Sequence, residues 1–248
     1  MIGKLLVRGM LTGIVAGLIT FGFAKTFGEP QVDQAIAFES HQHALAGEAP
    51  EPELVSRETQ AGLGLMTGVV TFGAAFGGLF ALTFAYAYGR VPKMGARGLS
   101  ALLGLGAFIV LVVVPTLKYP ANPPSVGDPD TIGARTALYF FAIALSVCAM
   151  VVSINLRRRA VAYLGQWNGS IVAALAYGVL IAAALHALPE INEVPAAFPA
   201  VVLWKFRVAA LGMQAVLWLT VGLVFGVSAE RLYGISPSNA SARAAFGI

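Results

Sequence analysis

The sequence predicts an all-α integral membrane protein, a single six-helix transmembrane bundle with one long acidic outer loop. Three observations carry that prediction. Of 248 residues, 58% are hydrophobic and only 11% are charged, against about 25% charged in soluble domains. The apolar residues fall in runs of about twenty, the length a helix needs to cross the hydrocarbon core. Between those runs the connections alternate from basic to acidic, the charge pattern of a multi-pass chain.

The first expected span is Leu5–Ala24. Lys4 and Arg8 ahead of an apolar run resemble a signal peptide, but Gly22-Phe23-Ala24 is a poor cleavage site and the run is long enough to cross, so an uncleaved helix is expected. Arg8 lies about one turn in, within snorkelling reach of the interface. The second span, Ala61–Tyr88, exceeds the bilayer and should tilt or protrude. The third is Gly98–Leu117, where Pro115 removes the amide that would bond back to Leu111 and loosens the helix near its exit. Thr136–Leu156, Gly169–Leu188 and Val208–Ala229 complete the six. No span after the first contains Asp, Glu, Lys or Arg.

Charge sets the expected orientation. One side of a six-span chain carries Lys4, Arg8, Arg90, Lys93, Arg97, Arg157, Arg158, Arg159, Arg231 and Arg243, with Glu230 as its one acid. The other carries six bases and the remaining eleven acids. The positive-inside rule makes the basic side cytoplasmic, with both termini inside. The pI near 9.4 therefore reflects topology, and no nucleic-acid partner is expected. The single cysteine, Cys148, lies in an apolar run and excludes an intramolecular disulfide and a cysteine metal site.

Glycines recur every four residues at Gly9, Gly13 and Gly17, and at Gly64/Gly68 and Gly73/Gly77. Small residues at that spacing line one helix face and let backbones approach in lipid. Helix packing, within the chain or against a partner, is the expected role; a glycine-lined conduit is the alternative.

The acidic connections are the place to look for chemistry. The stretch Phe27–Gln60 holds Glu29, Asp33, Glu39, His41, His43, Glu48, Glu51, Glu53, Arg57 and Glu58. If Glu29–Leu45 is helical, Glu39 and His43 lie one turn apart on one face and can share a divalent cation; a solvated acidic loop is the plainer alternative. Asp128 and Asp130 are further oxygen donors, although Asp130 or Thr131 can instead cap the following helix. Glu190 and Glu193 form a third carboxylate pair, with Lys205 and Arg207 as possible ion-pair partners. His186, at the end of the fifth span, is a ligand, a relay or a hydrogen-bonded packing residue. The three outer connections combine proline with carboxylates, as in Phe27-Gly28-Glu29-Pro30. No Walker motif, HExxH, GxSxG or pair of haem-ligating histidines occurs, so no enzyme is expected and no cofactor is built in.

The segments FGEPQVDQAIAFE (27–39), GGLFAL (77–82), KYPANPP with GDPDTIGARTALY (118–139), and NEVPAAFP with LWKFR (192–207) are together similar to the CbtA family of predicted cobalt transporter subunits. The resemblance covers nearly the whole chain. It implies a bacterial inner-membrane protein linked to cobalamin-related cobalt uptake, often beside a small single-span partner rich in histidine. It implies no fixed ligand set. Its segments lie mainly on the acidic connections and stop at Glu39, which lowers the weight on His41 and His43. Glu29, Asp33, Asn122, Asp128, Asp130, Glu190 and Glu193 gain weight.

Two functions follow. One is a membrane subunit of a divalent-metal importer, with cobalt the expected cargo and a small partner subunit or further copies of the chain completing it. The other is a non-transporting assembly subunit of a larger membrane complex, which the lack of charge inside the later spans favours.

Overall fold

The computed structural model describes residues 2–47, 54–91 and 94–233. Glu48, Glu51, Glu53, Pro92, Lys93 and Arg243 lie outside the described residues. All regular structure among the described residues is helical. Helix α1 (Ile2–Phe23) runs through a π-helical turn, Ala24–Gly28, into α2 (Glu29–Ala46). A short α3 (Arg57–Thr59) leads through a second π turn, Gln60–Gly64, into α4 (Leu65–Ala87). Helix α5 (Ala96–Phe108) continues through a third, Ile109–Val113, into α6 (Val114–Lys118). A 3₁₀ turn, Pro129–Thr131, precedes α7 (Ile132–Ala187), and α8 spans Ala200–Tyr233.

Two of the π turns end two residues ahead of a proline, at Pro30 and Pro115. Proline lacks an amide and its ring crowds the carbonyl four residues back. A widened turn just upstream relieves that conflict and lets the helix continue. This corrects the acidic loop expected over Phe27–Gln60. Its first part is a helical extension of α1, because Gln, Ala, Glu, Ile and Phe favour or tolerate helix and Pro30 is accommodated.

Among the described residues, five helices are long and apolar enough to cross a membrane, not the six expected. The difference lies in α7, where the expected fourth and fifth spans are joined without a loop. Its backbone leaves helical geometry at Gly165 alone, with φ 77° and ψ 171°. That left-handed φ is open to glycine and strained for other residues. The chain folds back there. Arg157 Nε donates to Ser170 Oγ at 2.9 Å, whereas an uninterrupted helix would hold those residues about 20 Å apart. Ser146 Oγ and Tyr177 Oη share a hydrogen bond of 2.8 Å. Ala149 and Ile181 pack in one buried cluster with Val114. The two arms of α7 are thus antiparallel.

The chain divides into two compact units. The first comprises residues 1–30, 47–108 and 209–248. Its centre is the seam between α1 and α4. A Cβ built on Gly13 would stand 2.0 Å from the Gly73 carbonyl oxygen, and one on Gly9 would stand 2.3 Å from that of Gly77. The expected glycine packing is therefore made within the chain. Gly17 meets Val70, while Gly68 has nothing within 4 Å. A second close crossing joins α5 to α8. Gly104 meets the Gly222 backbone, and buried Ser100 donates to the Gly222 carbonyl at 2.6 Å. Phe80 and Phe84 of α4 meet Phe225 of α8 edge to face. Arg8 does not snorkel free; its guanidinium donates to the Ser228 carbonyl at 2.6 Å. Arg97 pairs with Glu230 at 2.6 Å.

The second unit comprises residues 31–46 and 109–208. Ala35 of α2 is fully buried beside Val126, Phe198 and Val202, with Phe38 and Phe198 in edge contact at 5.0 Å. Tyr119, Ala142 and Leu188 form another cluster, pinned by the Tyr119 hydroxyl donating to the Pro189 carbonyl at 2.9 Å. Across the chain the buried positions include many Gly, Ala, Ser and Thr, while Phe72, Phe140, Leu175 and Val179 are exposed. That inversion suits a lipid solvent, where large apolar side chains need no protein cover.

Candidate functional site

Asn122, Asp128, Asp130, Glu190 and Glu193, all singled out from sequence, lie in the second unit, on the Lys118–Thr131 connection and the segment between α7 and α8. Glu193 is the hub. One carboxylate oxygen, Oε2, accepts from the Asp128 amide at 2.9 Å and from Thr131 Oγ1 at 2.9 Å. The same oxygen faces Arg135 Nε at 3.3 Å. These bonds, led by the one from the Asp128 amide, lower the Glu193 pKa below its ordinary value; partial desolvation opposes them.

Asp128 holds the other side. Its Oδ1 accepts from the Asp130 amide at 2.9 Å and caps the 3₁₀ turn. Thr131 holds the N-cap position of α7 but makes no side-chain cap hydrogen bond there; the capping side chain is that of Asp128, which leaves helical geometry at ψ 129° ahead of the 3₁₀ turn. Its carbonyl accepts from Thr131 Oγ1 and from Arg135. Asp130 itself is exposed. Gly127, at φ 116°, leaves room for the Arg135 guanidinium, since a Cβ there would stand 2.1 Å from Nη1.

Asn122 Oδ1 accepts from Arg207 Nη2 at 2.8 Å, and Arg207 Nε donates to the Ala121 carbonyl at 3.3 Å. Glu190 is exposed and lies 3.8 Å from Lys118 Nζ. The sequence offered Lys205 and Arg207 as partners for Glu190 and Glu193; the structure gives Lys118 and Arg135 instead. Arg207 is engaged by the 121–122 segment. Arg135 is four residues after Thr131, one helical turn on, so the spacing already placed both on one face.

On α2, Glu39 and His43 do lie one turn apart in a helix. Glu39 accepts from Ser125 Oγ at 3.3 Å, and the same hydroxyl donates to the Ala35 carbonyl at 2.9 Å. Asp33 and His41 are exposed, and His43 is partly covered. In the first unit, Glu29 forms an ion pair with Arg57. Lys25 donates to the Ala61 carbonyl, inside a π turn, at 3.2 Å. His186 sits on the last turn of α7 and is exposed rather than turned into a bundle interior. Among the described residues, no three His, Cys, Asp or Glu side chains converge as a metal site.

The arrangement is thus a hydrogen-bonded clasp in which acceptor oxygens meet guanidinium, ammonium or amide donors. Ser125, Arg135 and Lys118 complete it without having been singled out from the sequence, and Thr131, expected only as a cap, joins them.

Long apolar helices with small residues at their crossings and charges at their ends define a helical membrane protein. Within that class the chain belongs to the CbtA family, described as a probable cobalt transporter subunit; the family model matches residues 2–230. No curated protein and no solved structure matches the chain.

Proposed function

We propose that the chain is the membrane subunit of a divalent-cation importer with cobalt as its cargo. The observation carrying this reading is membership of a transporter-subunit family over residues 2–230. In this reading the two arms of α7 cross the membrane separately. That makes six crossings in the cell's inner membrane and leaves both termini in the cytoplasm, consistent with the basic residues on those connections. Glu29, Asp33, Glu39, Asp128, Asp130, Glu190 and Glu193 then share the outer face and raise the local cation concentration.

Asn122, Asp128, Glu193 and the nearby carbonyls supply oxygen donors, and Glu39 with His43 supplies a mixed pair suited to a borderline cation. A cation drawing on Glu193 must compete with Arg135 for the same oxygen. A second subunit, a small single-span histidine-rich chain or another copy of this one, completes the ligand set, and a link to cobalamin synthesis gives the cargo its use.

The test is uptake of labelled cobalt in cells with and without the chain, expressed alone and with its neighbouring subunits. Uptake that rises with the chain and falls in the Glu193→Gln variant supports the reading. Unchanged uptake, together with metal-free co-purification in a multi-subunit enzyme, would favour the assembly role instead.

A further inference from the structure

The end of α7 that turns at Gly165 carries three consecutive arginines, Arg157, Arg158 and Arg159, all exposed. No Asp or Glu occurs anywhere between Asp130 and Glu190. Arg157 is held against the opposite arm by its bond to Ser170, whose hydroxyl also donates to the Gln166 carbonyl at 2.7 Å. Gly169 lets the arms close, since a Cβ there would stand 2.8 Å from the Val161 amide nitrogen. Arg158 and Arg159 make no ion pair among the described residues. Successive helical residues are offset by about 100°, so the two fan outward from the arm.

Two exposed aromatic side chains stand between them and the far side of the turn. Tyr163 is 88% exposed and Trp167 is 78% exposed, the one just before Gly165 and the other just after. Six residues of helix, about 9 Å of rise, separate Arg157 from Tyr163. That is close to the depth of one headgroup layer, about 5–8 Å. Tyrosine and tryptophan favour this layer, and exposed arginines there attract phosphate.

We propose that the tip of the α7 hairpin is a binding site for anionic phospholipid headgroups, with Arg158 and Arg159 taking the phosphate and Tyr163 and Trp167, nearer the turn, bordering the headgroup layer on its aqueous side. Charge complementarity commits the site to anionic lipid. A carboxylate-free arginine cluster bordered by interfacial aromatics discriminates headgroup charge, whereas the aromatics alone do not. Arg157 positions the arm and keeps its hydrogen bond to Ser170.

The full chain carrying Leu156→Trp in a Trp167→Phe background, reconstituted in vesicles with brominated phosphatidylglycerol or brominated phosphatidylcholine, provides the test through quenching of the tryptophan next to Arg157. Its signal is isolated by subtracting the Trp167→Phe variant. Stronger quenching by the anionic lipid is expected. Loss of that preference in R158Q/R159Q is also expected, about fivefold for each arginine removed, with retention in R158K/R159K and in R90Q. The single variants R158Q and R159Q, each giving a partial loss, carry the test if the pair does not fold. Equal quenching by the two lipids, or an unchanged preference in R158Q/R159Q, would overturn the proposal. So would a preference abolished by excess inorganic phosphate, which would mark a free-anion site.

Discussion

Replacing Gly13 by alanine should separate α1 from α4. The added Cβ would stand 2.0 Å from the Gly73 carbonyl oxygen, 2.7 Å from its carbon and 3.0 Å from the Ala74 Cα. All three are backbone atoms, so no rotamer change relieves the contact. Ordinary van der Waals contact begins at 3.4 Å, so the helices must part by roughly 1.4 Å if they move along that line. A gap of 0.5–1 Å already forfeits about a quarter to a half of each contact's attraction. In lipid no hydrophobic term between the helices compensates that loss. Overpacking costs about 1–3 kcal/mol, and a purely backbone clash belongs at the upper end. Alanine recovers about 1 kcal/mol of helix propensity, leaving a net loss of about 2 kcal/mol. For a chain of this size that lowers the melting temperature by about 4–8 °C. Thermal unfolding of detergent-purified protein reads the effect, with Gly68→Ala as control because nothing lies within 4 Å of Gly68. A Gly13→Ala variant melting at or above the wild type would refute the seam.

Three other tests address the second unit and the charged helix ends. Cysteines at positions 157 and 170, in a Cys148→Ser background, should be joined within one chain by a thiol cross-linker spanning about 8 Å; a straight α7, which would hold them about 20 Å apart, would leave them unlinked. Because the folded pKa of Glu193 is depressed, its contribution to stability is present above the ordinary carboxylate range near 4.5 and disappears as pH falls through the folded value. Melting temperature should therefore fall more steeply with acidification in the wild type than in Glu193→Gln, and parallel curves would contradict the hub. Glu29→Arg should lower the melting temperature and Arg57→Glu should restore much of the loss; a double variant as unstable as the single one would deny the pair.

Sequence spacing reveals some crossings and hides others. Gly9 and Gly13 against Gly77 and Gly73 were legible because both sets repeat every four residues. Gly68 repeats with Gly64 but lies five residues from Gly73, about 140° around the helix, so it faces elsewhere. The α5–α8 crossing carried the same small-residue signal in Ser100/Gly104 and Gly222/Gly226, though without the density of the first. The helix after Phe27 was legible only as one alternative, over Glu29–Leu45, since Pro30 reads as a stop unless the wider turn before it is known. Asn122, Asp128, Glu190 and Glu193 were legible one by one. Their pairing was not, because Glu193 and Asp128 are 65 residues apart and only the folded α7 hairpin returns one to the other.

The π turns bear on how such a chain can change. Each adds one residue to a helical turn, which rotates everything downstream by about 100° relative to an unbroken α-helix. The angular offset between the two halves of a helix is thus written as a single residue of length rather than as particular side chains. Deleting one codon within Gln60–Gly64 would swing the face presented by the segment before it while leaving every residue of α4 in place. A protein built this way can re-aim a charged or ligand-bearing segment by insertion or deletion, with its glycine seam untouched.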